Sequence, residues 1–347
     1  MIITICIILL MSILSSCEKT GTFEPLQAPP YKWDRYILDY SSCDGLHFTK
    51  LYAGSGNDVY ALATPISCVN HNIFHFDGKT WKNLPINISG GGLLIANTVF
   101  GWSSVDIWFA GFYPIPDGYV DMLWHYDGVE LSRVPPPYIV RDYSELNVVY
   151  GDRPDNMWAG GSYGTLYHYD GDNWKRDSIH VNNTFPPDLL YQFKIRSITG
   201  NDNYGFYLNS SLNDLHKYDG NTWNLIDTDS WVANLYMSPS GTLYGDGNYI
   251  SKWDGKIWYH IYPNPVKPII VRSLHIIDDN QIYAPVRVDG VSTLVFFNGL
   301  NWIEYPELRS MDVEYYDIIF VDGELFILGQ TLEGRKVGVI LHGKPSI

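Results

Sequence analysis

The apolar and polar positions of this chain recur as a unit. An alternating strand, a tight turn and a second strand are written His75-Phe-Asp-Gly-Lys-Thr-Trp81, and the unit returns as His125-Tyr-Asp-Gly128, His168-Tyr-Asp-Gly-Asp-Asn-Trp174, Lys217-Tyr-Asp-Gly-Asn-Thr-Trp223, Lys252-Trp-Asp-Gly-Lys-Ile-Trp258, Phe296-Phe-Asn-Gly-Leu-Asn-Trp302 and a degenerate Leu341-His-Gly343. Successive glycines lie 50, 43, 49, 35, 44 and 44 residues apart, the length of a four-stranded propeller blade. A second element precedes each turn: Asp58-Val-Tyr-Ala61, Asp106-Ile-Trp-Phe-Ala-Gly111, Asp155-Asn-Met-Trp-Ala-Gly160, Tyr204-Gly-Phe-Tyr207, Gly241-Thr-Leu-Tyr244, Gln281-Ile-Tyr-Ala284 and Gly323-Glu-Leu-Phe326. Its apolar and small residues suit an inner strand pressed between neighbouring sheets. In the turn itself Gly supplies the positive φ of a hairpin and Asp bonds back to its own loop, while the Trp that follows opens an outer strand.

Seven copies of each element predict an all-β fold, a seven-bladed β-propeller of four-stranded antiparallel blades over residues 31–347. The last copy ends too near Ile347 to provide its own outer strand, whereas Tyr31-Lys-Trp-Asp-Arg-Tyr36 has a Trp with no turn before it. The N-terminal segment is therefore expected to complete the last blade, which removes free sheet edges.

Composition agrees. Aromatic residues make up 15% of the chain, with 27 Tyr and 12 Trp, against 18% charged residues. A net charge of -15 works against binding a phosphate backbone, so nucleic acid is excluded as the expected partner.

Residues 1–16 carry no charge and include an apolar run, Ile2 to Leu14, too short to span a bilayer. The run reads as an export signal. Leu14-Ser15-Ser16-Cys17 resembles the lipobox of bacterial lipoproteins, although the first residues lack Lys or Arg. That resemblance implies cleavage before Cys17, lipidation of Cys17, and membrane attachment through the lipid, with residues 17–30 as an extended tether ending in Pro29-Pro30. No Asp follows Cys17, which points to an outer-membrane or cell-surface position. Of the other cysteines, Cys6 leaves with the signal, and Cys43 and Cys68 are expected to form a disulfide in an oxidising compartment.

The repeats resemble a widespread family of bacterial secreted proteins with the pattern S-x-D-V-W-A-V-G followed by G-x-I-x-H-Y-D-G-x-x-W. The resemblance covers residues 31–343 and implies the fold without fixing an activity. The Asp-box of sialidases, S-x-D-x-G-x-x-W, does not match, because here Asp is adjacent to Gly.

On a propeller the Asp-Gly hairpins share one face, and the connections between blades share the other. Long loops on that second face are expected at Leu62 to Asn72, Phe112 to Met122, Pro135 to Ser144, His180 to Phe193 and Glu304 to Tyr315. Their aromatic and charged residues are the candidate ligand contacts: Tyr113, Tyr119, Tyr138, Arg141, Asp142, Tyr143, Asp188, Tyr191 and Trp231. His75, His125 and His168 recur at one blade position and read as structural, since ligands on different blades cannot converge on one ion. Asp278-Asp279-Asn280 reads as a turn in preference to a calcium site. No metal or cofactor site is expected, and no catalytic residue can be named. The expected function is a non-enzymatic interaction module for a glycan or an envelope protein; the alternative is a propeller glycosidase or polysaccharide lyase, with acidic residues converging near the axis.

Overall fold

The computed structural model of the protein describes residues 27–39, 45–65, 72–84, 88–89, 93–136, 143–177, 179, 193–262 and 269–346. They form seven antiparallel sheets and, among the described residues, no helix. Blade one runs Leu46–Ser55, Asp58–Pro65, Ile73–Phe76 and Trp81–Asn83 from the axis outward, and blades two to five follow the same order. In blade six the innermost strand is broken into Ile270–Val271 and His275–Asp278, both paired to Gln281–Val288.

The seventh blade closes as expected. Tyr31–Leu38 pairs with Gly338–Pro345, setting Trp33 opposite Gly343, so the outer strand of this blade comes from the other end of the chain. Gly343 is consequently not a turn residue but lies inside a strand. A Cβ there would stand 2.6 Å from the Trp33 ring, so the glycine makes room for the indole.

The Asp-Gly units do what their chemistry requires. Gly78, Gly128, Gly171, Gly220, Gly255 and Gly299 have φ between 84° and 98°. In each turn one side-chain oxygen of the preceding residue accepts two backbone N–H groups, as Asp219 does from Asn221 and Thr222 at 2.9 and 2.8 Å. Those bonds hold the Asp219 carboxyl down to about 2. The Trp beyond the turn pairs across strands with the aromatic before it, as Trp223 does with Tyr218, and then reaches the blade before its own, where Trp223 meets Trp158 edge to face at 5.1 Å.

The recurring histidines tie the middle of a blade together. His75 lies 2.7 Å from Asp58, His125 2.8 Å from Asp106, His168 2.7 Å from Asn156 and His342 2.6 Å from Glu324. Each imidazole also stacks on an aromatic of the adjacent strand: Tyr60, Trp108, Trp158 and Phe326 respectively. Where the position holds Lys217 or Lys252, the ammonium sits over Tyr207 or Tyr244 instead. In six blades this position thus carries a cationic or hydrogen-bonding group above a ring, and in blade six Phe296 packs on Tyr283 instead. The Asp278 segment is a turn, with Asp278 accepting the Asn280 N–H, while Asp279 accepts hydroxyls of Ser240, Thr242 and Tyr244 from blade five.

Two expected loops are strands. Phe112–Met122 is the tip of a long hairpin, Asp106–Ile115 with Gly118–Tyr126, and Glu304–Tyr315 is covered by Trp302–Ser310 and Val313–Val321 except for two residues. In both segments pairing across the hairpin satisfies backbone groups that a loop would leave to water.

Candidate functional site

Each innermost strand begins at the face of the inter-blade connections and carries an irregularity close to that end. β-Bulges fall between Phe48 and Lys50, Ala96 and Thr98, Leu146 and Val148, Ile195 and Ser197, Val232 and Leu235, and Tyr315 and Asp317. Blade six has its strand break at the same level. A bulge re-aims a side chain that regular pleating would bury between sheets. The re-aimed residues, Thr49, Asn97, Asn147, Arg196, Asn234, Arg272 and Tyr316, all line the central channel. This ring surrounds a cavity of about 490 Å³, floored by Phe100, Tyr150, Met237 and Ile276.

Beneath the ring the blades are joined by buried polar contacts. Asp317 accepts from Lys50 at 3.3 Å, from the Leu51 amide at 2.7 Å and from Ser273 at 2.6 Å, linking blades one, six and seven. Asp246 accepts two bonds from the Asn234 amide and one from the Tyr236 hydroxyl, and burial pushes its carboxyl up to about 6. Burial holds His275 down to about 4, and its Nδ1 accepts the Phe320 N–H, which fixes the neutral ring. Glu314, buried at the rim, is shared by Arg272 at 3.0 Å, Arg287 at 3.2 Å and the Tyr316 hydroxyl at 3.2 Å. Among the described residues no Asp or Glu lines the cavity.

The structure separates the expected contact residues. Alternation along the blade-two hairpin sends Tyr113 towards blade one, where it packs beside Met122 and beneath Arg133. Tyr119 points the other way, towards blade three, and meets Tyr143 edge to face at 5.5 Å. Tyr143 is 55% and Trp231 71% exposed, on the approaches to blades three and five. Both have positive φ, 68° and 41°, an unusual state for a bulky residue that the surroundings must impose. Below Tyr119 the carboxyl of Asp121 is fully buried between blades two and three, accepts the Tyr167 hydroxyl at 3.2 Å, and is pushed up to about 6 by that burial. Tyr138, Arg141, Asp142, Asp188 and Tyr191, like Cys17, Cys43 and Cys68, lie outside the described residues.

Sequence reading missed the ring itself. Its signal is a third repeat, Phe48-Thr-Lys-Leu51, Ala96-Asn-Thr-Val99, Leu146-Asn-Val-Val149 and Ile195-Arg-Ser-Ile198, in which one or two polar residues interrupt a buried strand.

Fold and channel together define a seven-bladed β-propeller with a polar, partly cationic mouth at the axis. No protein-family model matches the chain, and no curated protein does. Solved structures do. YCF48 bound to D1 peptide aligns with 17% identity over 92% of this chain and 98% of its own, with a TM-score of 0.64. The GH74 xyloglucanase from Xanthomonas campestris aligns at 13% over 89% of this chain and 55% of its own, TM-score 0.60. An ulvan lyase of family PL25, bound to -[GlcA(1-4)Rha3S]-, aligns at 9% over 85% of this chain and 92% of its own, TM-score 0.52. These identities establish a shared fold, on which binding proteins and enzymes are both built.

Proposed function

We propose that this protein is an envelope-displayed interaction module that receives a segment of a glycan or partner protein at the channel mouth. The carrying observation is the ring of bulged residues: seven blades each break regular pairing to turn a side chain into one cavity of about 490 Å³. β-Bulges re-aim side chains and are over-represented next to functional sites as well as at sheet edges. Exposed Tyr143 and Trp231, on the approaches to blades three and five, add stacking surface on the same face. In this reading Cys17 bears the lipid, residues 17–30 form the tether, and the domain stands at the outer membrane or cell surface.

Within the alternative reading of a glycosidase or lyase, the glycosidase has less support. Cleavage of glycosides by two carboxylates needs them some 5–10 Å apart and facing the substrate, whereas the described cavity lining contains neither Asp nor Glu. Binding to glycan and peptide arrays tests the module reading. Asn97→Trp, which obstructs the mouth, is expected to abolish the signals of the wild type while lowering thermal unfolding only by the few degrees that the lost Asn97 bond to the Leu146 carbonyl is worth. Ligands held equally by the plugged variant would place recognition elsewhere and sink the proposal. Palmitate labelling in a bacterial host, lost in Cys17→Ser, tests the anchor.

A further inference from the structure

Five members of the ring are occupied by the protein itself. Thr49 donates to the Leu62 carbonyl at 3.4 Å, Asn97 to the Leu146 carbonyl at 2.9 Å, and Asn234 to Asp246 at 3.0 Å. Arg272 and Tyr316 both converge on Glu314. Asn147 and Arg196 differ: among the described residues neither side chain has a hydrogen-bonding or ion-pair partner, and both line the channel from neighbouring blades.

Their surroundings leave one charge uncompensated. Two residues earlier on each strand's approach, Glu145 and Lys194 pair with each other at 3.0 Å, so the guanidinium of Arg196 is the net positive group of this sector. A planar guanidinium with open N–H groups matches a carboxylate in bidentate fashion. The Asn147 amide, which both donates and accepts, suits a neighbouring hydroxyl. Exposed Tyr143, against the blade-two hairpin on the approach to blade three, and Trp231, on the approach to blade five, offer rings for the apolar faces of sugars extending from the channel. A chain of net charge -15 repels a polyanion at long range, which favours a ligand with an isolated acidic residue.

Resting on the binding reading above, we propose that Arg196 and Asn147 form a carboxylate subsite for a uronic acid residue carried by an otherwise neutral oligosaccharide. Calorimetry on the full domain tests it with three probes: a xylo-oligosaccharide bearing one glucuronate, the same compound with the carboxyl reduced to the alcohol, and a short peptide with a free C-terminal carboxylate. The wild type is expected to prefer the glucuronate form over the reduced form by about tenfold to a hundredfold, the worth of a charge-assisted pair. Arg196→Ala abolishes that preference, Arg196→Lys restores part of it, and Asn147→Ala weakens both sugars. Since neither side chain has a partner to lose among the described residues, unfolding temperatures stay unchanged. A preference that survives Arg196→Ala overturns the subsite, as does Arg196-dependent binding of the peptide without the sugar. Sugar binding indifferent to Arg196 but blocked by Asn97→Trp overturns the subsite alone and leaves the channel reading standing. Sugar binding indifferent to both variants removes the two together.

Discussion

Trp33 and Gly343 face one another across the seam that closes the ring, the indole occupying the space a β-carbon would need. The first described strand and the last are thereby locked in register, and both ends of the chain hold the same blade. Trp33→Ala is expected to cost about 2–3 kcal/mol, below the figure for a fully buried Trp because this one is half-buried. Gly343→Ala should cost about 1–3 kcal/mol by overpacking. The double variant should cost less than the sum, since removing the ring relieves the clash. Denaturant unfolding of the four proteins measures the coupling; strict additivity would show that the seam does not depend on this pair.

The Asp-Gly turns allow a cleaner test of backbone strain. At Gly220 φ is 98° and a Cβ meets nothing within 4 Å, so Gly220→Ala isolates the cost of a left-handed backbone, about 1–2 kcal/mol. At Gly128 the same atom would stand 2.4 Å from Val105. Gly128→Ala is therefore expected to destabilise more than Gly220→Ala in the same unfolding assay, and the reverse order would contradict the geometry.

Stability should respond to pH through Asp121. Folded, it keeps its proton up to about pH 6, while unfolded aspartate releases one near 3.9. The folded state binds more protons between those values, so this group adds stability as pH falls from 7 towards 4. Between pH 7 and 5 the gain is about 1 kcal/mol, and Asp121→Asn removes it. His275 acts in the opposite sense: its contribution is full above pH 6.5 and is lost as pH falls towards 4. Comparing wild type with Asp121→Asn across pH separates the two, and parallel profiles would argue against a buried carboxyl that titrates late.

Cys43 and Cys68 are expected to be joined. Leu46 and Pro65 are register partners at the ends of the first two strands, and each cysteine lies three residues beyond one of them. A cross-link would stabilise by about 3 kcal/mol for a loop of this length. Peptide mapping of the unreduced protein should recover the linked pair; two thiols alkylated without reduction would refute it.

How far the fold could be read from the residues depended on locality. Asp219 and Gly220 make their turn with groups two and three residues away, so the same short string recurs wherever the same turn recurs. The closure was legible for the same reason, through a Trp with no turn and a final repeat with no Trp. Loops predicted at Phe112–Met122 and Glu304–Tyr315 proved to be strands because partners across the hairpin satisfy their backbone, information absent from either segment alone. The expected aromatic cluster was split for a related reason. Tyr113 and Tyr119 are near in sequence, but pleating sends them to opposite sides of one hairpin.

By itself the sequence determined the number of blades, the turns between their outer strands and the splice that closes them, since these rest on contacts within a few residues or on a repeat that counts itself. Tertiary structure alone decided the site. Asn147 and Arg196 are 49 positions apart, and what marks them is that the other five ring members have hydrogen-bond partners while, among the described residues, these two have none. Whether a polar side chain is already satisfied is a property of what surrounds it in space, and no local pattern of residues encodes that.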